Sequence, residues 1–158
     1  MTGKAEFNAE EWSVVAGAPL LAAMMVIAAD RGGSVRESVA VARAYAAAKE
    51  QYEGEFMSAL LSTPPAASAN RPTTREEVHD AATTQLREAI AILERVGTED
   101  DVVEYKRFVF SLAENVANAH KEGGFLGIGA NRSQISEAEQ AALDEIGAIF
   151  DAPPPATA

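Results

Sequence analysis

The stretch "TREEVHDAATTQLREAIAILERVGTEDDVVEYKRFVFSLAENV", residues 74–116, contains two apolar stripes of helical spacing separated by one glycine. In the first half the apolar residues recur in steps of three and four, at Ala82, Leu86, Ala89, Leu93 and Val96. In the second half the same steps give Val102, Tyr105, Val109, Leu112 and Val116. Such steps place side chains on one face of an α-helix. The connection at Gly97 is so short that the two helices are predicted to be antiparallel neighbours.

Each predicted helix begins with a capping residue that is followed three positions later by an acid. The capping side chain accepts a hydrogen bond from the first helical turn, and the acid reaches back to the capping residue. The five pairs are Asn8 with Glu11, Ser34 with Glu37, Thr74 with Glu77, Thr98 with Asp101, and Ser136 with Glu139. They predict about five helices, and the second is expected to extend to about Ser62.

No segment shows the period-two alternation of an exposed strand, so the predicted fold is all-α, in one domain spanning residues 1–151. Frequent Pro, Ser and Asn residues predict a flexible linker over 62–74. A glycine-rich connection is expected over 123–135. The tail 152–158, "APPPATA", is expected to be disordered.

The first predicted helix contains an uncharged run over residues 12–29, which is at the lower length limit for a membrane span. Its alanines, Gly17 and Pro19 make it weakly hydrophobic, so a central helix buried by its neighbours is the favoured interpretation. Membrane association is the alternative. Because Pro19 removes a backbone donor, we expect either one kinked helix or two short helices that break near Gly17.

The acidic composition excludes several classes of partner. The formal net charge is −11, and the 13 Lys and Arg residues form no cluster, so no nucleic-acid partner is expected. The absence of cysteine excludes disulfides and thiolate zinc sites. Acids stand near the N-terminus where a signal peptide would be basic, which predicts a cytoplasmic location.

The glycine-rich stretch "GGFLGIGANRS", residues 123–133, does not match a phosphate loop. Gly124 and Gly129 have the spacing of that motif, but Ala130 follows where its lysine would stand. We predict instead a packed connection in which Phe125, Leu126 and Ile128 contact the core. An anion held at the start of the fifth helix by Arg132 and Ser136 is a weaker alternative.

The sequence offers no catalytic residues, so the protein is predicted not to be an enzyme. Glu76 and His79 have the spacing of one half of a ferritin-like di-iron site. The other histidine, His120, has Ala117 where its glutamate would stand, so the second half cannot be built. With two histidines and no cysteine, a nucleophilic triad also lacks material.

Two segments of the chain look alike: "AADRGGSVRES", residues 28–38, and "AHKEGG" with "QISEAE", residues 119–124 and 134–139. Each joins a helix end, an acid, a double glycine and a capping serine. This predicts two related helix hairpins packed around the buried apolar first helix. The arrangement resembles the tellurite-resistance TerB-like family of small all-α bacterial proteins, and the second segment also resembles a bacterial family for which we know no activity.

The resemblance to TerB-like proteins implies acidic turns that bind divalent metals. The matching residues are Asp30 and Glu37 at the first turn, and Glu122 and Glu139 at the second. Oxygen ligands of this kind suit Ca²⁺ or Mg²⁺. The alternative is that Glu37 and Glu139 serve only as capping partners.

The leading hypothesis is therefore a non-enzymatic, cytoplasmic helical protein that binds another protein or forms a homodimer. The alternatives are an acidic, metal-binding stress-response module and a peripheral membrane protein.

Overall fold

A computed structural model describes residues 2–29, 35–63, 72–119 and 136–151 of the chain. Within these ranges the fold is all-α, as predicted, with six α-helices, one short 3-10 helix and no strand. The 3-10 helix is Lys4–Glu6, and the α-helices are α1 (Ala9–Ala29), α2 (Val35–Gln51), α3 (Glu55–Ser62), α4 (Arg75–Val96), α5 (Glu99–Ala119) and α6 (Glu137–Asp151).

Reciprocal capping starts four of these helices where the sequence predicts it. In α4, the Glu77 N–H donates to the Thr74 hydroxyl, and the Glu77 carboxylate accepts from the Thr74 N–H. Asn8 with Glu11, Thr98 with Asp101, and Ser136 with Glu139 repeat the arrangement. Accepting backbone N–H groups, first that of Thr73, lowers the pKa of Glu77. The Ser34 pair lies outside the described residues.

The predicted second helix is in fact two helices, α2 and α3, with Tyr52, Glu53 and Gly54 between them. Gly54 precedes α3 in an extended conformation, and glycine is among the poorest helix formers. The break allows α3 to bury its own face, which consists of Phe56, Met57, Leu60 and Leu61. The capping pattern could not reveal this start because α3 has no side-chain cap.

Helix α1 continues through Pro19 without a break. Proline has no N–H, so it cannot donate to the carbonyl of Val15 four residues earlier. The hydroxyl of Tyr105 on α5 donates to this carbonyl instead, at 2.8 Å. The Tyr105 side chain is completely buried, and burial raises its pKa well above the ordinary range. A side chain from another helix thus satisfies the backbone acceptor that Pro19 leaves unpaired.

A second polar side chain reaches the same part of α1. The Gln85 amide, on α4, donates to the Val14 carbonyl at 3.1 Å. A Cβ atom at Gly17 would lie 2.7 Å from the Gln85 nitrogen, so only glycine leaves room for this approach. Further along α4, Arg95 pairs with Glu11, which precedes Val14 on α1. Helices α1 and α4 therefore run in opposite directions.

The core is built around α1 and α5. Helix α1 packs most extensively against α4 and also contacts α5 and α6, whereas α2 packs mainly against α5. Helices α4 and α5 touch, but the main neighbour of α4 is α1 rather than α5. Consecutive helices α1 and α2 contact each other only slightly. An aromatic group formed by Phe7, Trp12, Phe56 and Tyr105 joins the N-terminal segment to α1, α3 and α5.

Several predicted segments cannot be compared with the structure. Most of the predicted linker 62–74 lies outside the described residues, although Ser62 belongs to α3. The glycine-rich connection 123–135, including Phe125, Leu126 and Ile128, also lies outside them, as does the tail 152–158. Their predicted roles stay predictions.

Candidate functional site

The predicted acidic turns fall largely outside the described part of the chain. Asp30, Glu122 and Arg132 are not described, and neither is the side chain of Glu37. Within the described ranges, no group of three or more His, Asp or Glu side chains is placed to hold a metal ion. Of the four predicted metal ligands, the structure describes the side chain of Glu139 alone, so the predicted metal site stays a prediction.

Glu139 takes part in the cap of α6. Its carboxylate accepts the Ser136 N–H at 3.0 Å, and its own N–H donates to the Ser136 hydroxyl at 3.2 Å. Glu139 is buried, with 3% of its surface exposed. A carboxylate at a helix N-terminus supplies the negative charge that an external anion would bring. The geometry thus gives Ser136 and Glu139 a structural role and leaves less room for an anion there.

We expect Ser136→Ala to lower the free energy of unfolding by about 0.5–2 kcal/mol, the usual effect of removing an N-cap side chain. Glu139→Ala should also destabilise the protein, because it removes the acceptor for the Ser136 N–H. Glu139→Gln is the matched control, since its amide oxygen can still accept that bond. Urea denaturation followed by circular dichroism measures all three. A Glu139→Gln loss as large as that of Glu139→Ala would show that the charge, not the cap, is needed.

A polar contact between α4 and α6 was not foreseen from the sequence. His79 Nε2 lies 2.8 Å from both carboxylate oxygens of Glu145, and His79 Nδ1 lies 3.3 Å from Asp80. The Glu76–His79 spacing drew attention to this histidine, but its main partner is 66 residues away in the chain. No local pattern indicates such a pair.

An open groove lies between α2 and α5 and has a volume of about 280 Å³. It is lined by Ala40, Arg43, Ala44 and Ala47 of α2 and by Asn115, Asn118 and Ala119 of α5. The wall from α2 is therefore made of small apolar side chains beside one cation. The wall from α5 carries two amides, both exposed.

A smaller cavity of about 60 Å³ adjoins this groove and shares Ala44, Ala47 and Asn115 with it. It extends inward to the rings of Tyr52 and Phe108. The ring of Tyr45 also packs edge-on against Phe108, at 5.2 Å between centroids. Burial raises the pKa of Tyr45 to about 12, so its hydroxyl stays neutral at physiological pH. The groove thus leads to a small recess in which aromatic rings stand beside the polar side chains of Gln51, Ser111 and Asn115.

Helix α2 leaves much of its surface accessible. From Val39 to Gln51 only Ala48 is buried, and Val39 is 43% exposed. The alanines at 42 and 46 are exposed as well. The alanine-rich sequence was the signal available for this feature, but it did not indicate which side of the helix is covered.

By length and composition, α1 is the one helix in the described ranges that could cross a membrane. Its mean hydropathy is 2.0 over an 18-residue window, and half of that window is buried inside the bundle. Buried residues include Val15, Ala22 and Val26, which have no exposed surface. This burial is what a core helix requires.

No protein-family model, curated protein or solved structure matches this chain. The resemblance to TerB-like proteins thus rests on the quoted motifs alone.

Proposed function

We propose that this protein is not an enzyme and that it acts by binding another protein in the groove between α2 and α5. The observation that carries the proposal is the pair of adjoining cavities, of about 280 and 60 Å³. Alanines, asparagines and one arginine line the outer groove, and aromatic, aliphatic and polar side chains line the inner cavity. Pockets that combine an apolar floor with a few polar groups at the rim are typical binding sites.

The lining predicts what would be recognised. Ala40, Ala44 and Ala47 allow a backbone to approach closely because they have almost no side chain. The amides of Asn115 and Asn118 can both donate and accept, as a peptide backbone requires. The inner cavity has room for one small side chain beside the rings of Tyr52 and Phe108, which contact each other at 6.4 Å between centroids.

Arg43 adds a charge preference. A guanidinium binds a carboxylate through paired hydrogen bonds, and the protein is strongly acidic elsewhere. Two copies of so acidic a chain repel each other, so we propose that the partner is a different protein. Its bound segment carries a small residue for the inner cavity and an Asp or Glu for Arg43.

A matched pair of alanine substitutions tests this proposal. Ala47→Arg should weaken binding at least tenfold, because its long side chain fills the groove. Ala42→Arg adds the same side chain to the same helix outside the lining, so it should bind like the wild type. Both alanines are exposed, and neither substitution should alter folding.

The measurement proceeds in two steps. A partner is captured by tagged wild-type and Ala42→Arg protein but not by Ala47→Arg protein, and its affinity for each is then measured with purified components. NMR shift changes should centre on Ala40 and Asn118. Equal affinity for the two arginine variants, or shift changes confined to other helices, would contradict the proposal. If the wild type is a dimer and Ala47→Arg makes it monomeric, the molecule bound in the groove is a second copy of this chain.

The alternatives have separate tests. Calorimetric titration with Ca²⁺, Mg²⁺ and Mn²⁺ examines the metal-binding role implied by the TerB-like resemblance and its two related hairpins. Flotation with liposomes examines membrane association through α1. Our proposal places the protein in the cytoplasm, binding neither metal nor membrane, so a positive result in either assay would favour the corresponding alternative.

A further inference from the structure

One interhelical contact in this fold joins an imidazole to a carboxylate. His79 stands in the second turn of α4, and its Nε2 faces both oxygens of Glu145 on α6 at 2.8 Å. Both side chains are partly accessible, with 44% and 39% of their surface exposed. Because solvent reaches the imidazole, it can exchange protons without opening the core.

Acidic groups predominate around His79, although Arg75 stands one turn earlier on α4 and partial burial opposes protonation. Asp80 lies beside it on α4, at 3.3 Å from Nδ1. Glu76 stands one turn earlier on α4. On α6, Asp144 is a further acid beside Glu145 in the chain, and it accepts a hydrogen bond from Gln140. Helix α1 has no charged residue from Trp12 to Ala29, so that part of α1 contributes no charge near His79. The hydrogen bond to Glu145, and next that to Asp80, raise the pKa of His79 above 6.5.

The cations of α5 do not oppose the charged form of His79. Lys106 is the basic side chain of α5 that contacts α6, and it donates to the Phe150 carbonyl at 2.8 Å. That bond holds the C-terminal end of α6, whereas Glu145 lies further back on the helix. Within the described residues, the polar contacts that join α6 to other helices are therefore those of Lys106 and His79. The start of α6 is fixed by its own cap.

We propose that the His79–Glu145 contact is a pH-sensitive latch that fastens α6 to α4 when His79 is protonated and loosens it when His79 loses its proton. The neutral ring can keep one hydrogen bond to Glu145 but loses the charge attraction. Leu143 and Ile146 still attach α6 to the core, so the remaining bundle stays folded. This inference is independent of the proposed function.

The direction of the effect follows from proton linkage. A group whose pKa is higher in the docked state than in the open state stabilises docking fully below the lower of the two values. The stabilisation disappears as the pH rises through the higher value. Helix α6 should therefore be held more firmly at pH 6 than at pH 8, by about two- to fivefold in its opening equilibrium, as expected of an exposed ion pair.

Hydrogen exchange of the α6 amides, corrected for intrinsic rates, tests the latch. Wild-type α6 should show about two- to fivefold less opening at pH 6 than at pH 8, while the amides of α5 respond less. His79→Gln and Glu145→Gln should each abolish the difference. Both residues are partly exposed, so these variants should fold. The same pH difference in wild type and His79→Gln would overturn the proposal.

NMR titration of the imidazole provides a second, independent readout. The resonance of His79, assigned by its loss in His79→Gln, should titrate above pH 6.5 in the wild type and lower in Glu145→Gln. Asp80→Asn should lower it less. A wild-type pKa at or below 6.5, or one that Glu145→Gln leaves unchanged, would also overturn the latch.

Discussion

Val109→Asp is expected to destabilise the protein by several kcal/mol and to lower its melting temperature strongly. Val109 lies in the middle of α5 and has no exposed surface. An aspartate there would be an unpaired charge among apolar side chains, one of the few single changes with so large an effect. Because domains are stable by only about 5–15 kcal/mol, one such change removes much of the total.

The matched control is Val103→Asp on the same helix. Val103 is 51% exposed, so its replacement should change the stability by no more than about 0.5 kcal/mol. Circular dichroism against temperature and urea measures both variants. A fall of only a degree or two in the melting temperature of Val109→Asp would show that this position is accessible and that the assigned core is wrong.

Tyr105→Phe is expected to cost about 1–3 kcal/mol although it removes a single oxygen atom. The lost hydroxyl donates to the Val15 carbonyl, which Pro19 leaves without its helical partner. The phenylalanine ring keeps the packing, so the loss of stability measures the cost of leaving the Val15 carbonyl without a hydrogen-bond donor. Tyr52→Phe is the control, because the Tyr52 hydroxyl makes no hydrogen bond to the described residues. We expect it to change stability by less than about 0.5 kcal/mol.

A double-mutant cycle with Pro19→Ala isolates the cause. An alanine at 19 can donate its N–H to the Val15 carbonyl, so the acceptor no longer depends on Tyr105. In this background Tyr105→Phe should cost less, by about 1 kcal/mol, which is the difference between an unsatisfied buried group and an ordinary lost hydrogen bond. Urea unfolding of the four proteins measures the coupling. Strictly additive effects would mean that Tyr105 acts through packing and not through the carbonyl.

The helices were predictable because their signals are local. A cap and its acid lie three residues apart, and an apolar stripe repeats within one or two turns, so both are visible in a single stretch of chain. The starts at Asn8, Thr74, Thr98 and Ser136 were found in this way. The start of α3 was missed because Gly54 has no capping side chain and the apolar spacing continues across the break.

The choice of neighbours was not predictable, because it depends on contacts between distant residues. The short turn at Gly97 makes α4 and α5 adjacent, but it does not reveal that α4 packs mainly on α1. The His79–Glu145 contact, the acceptor of Tyr105 and the groove beside α2 arise only when helices far apart in the chain meet. The predicted ligand set was drawn largely from turns, and Glu139 illustrates how one acid can serve either a cap or a metal.

The bond between Tyr105 and Val15 also bears on how the chain is made. These residues are 90 positions apart, so α1 leaves the ribosome well before α5, which supplies the donor for its Val15 carbonyl. At about 5–20 residues per second, this interval lasts several seconds. For most of that time the uncharged run of α1 lacks α4, and throughout it lacks the complete α5. An apolar helix is thus synthesised before the helices that cover it, and the nascent chain is exposed to chaperones and to aggregation until Tyr105 has been added.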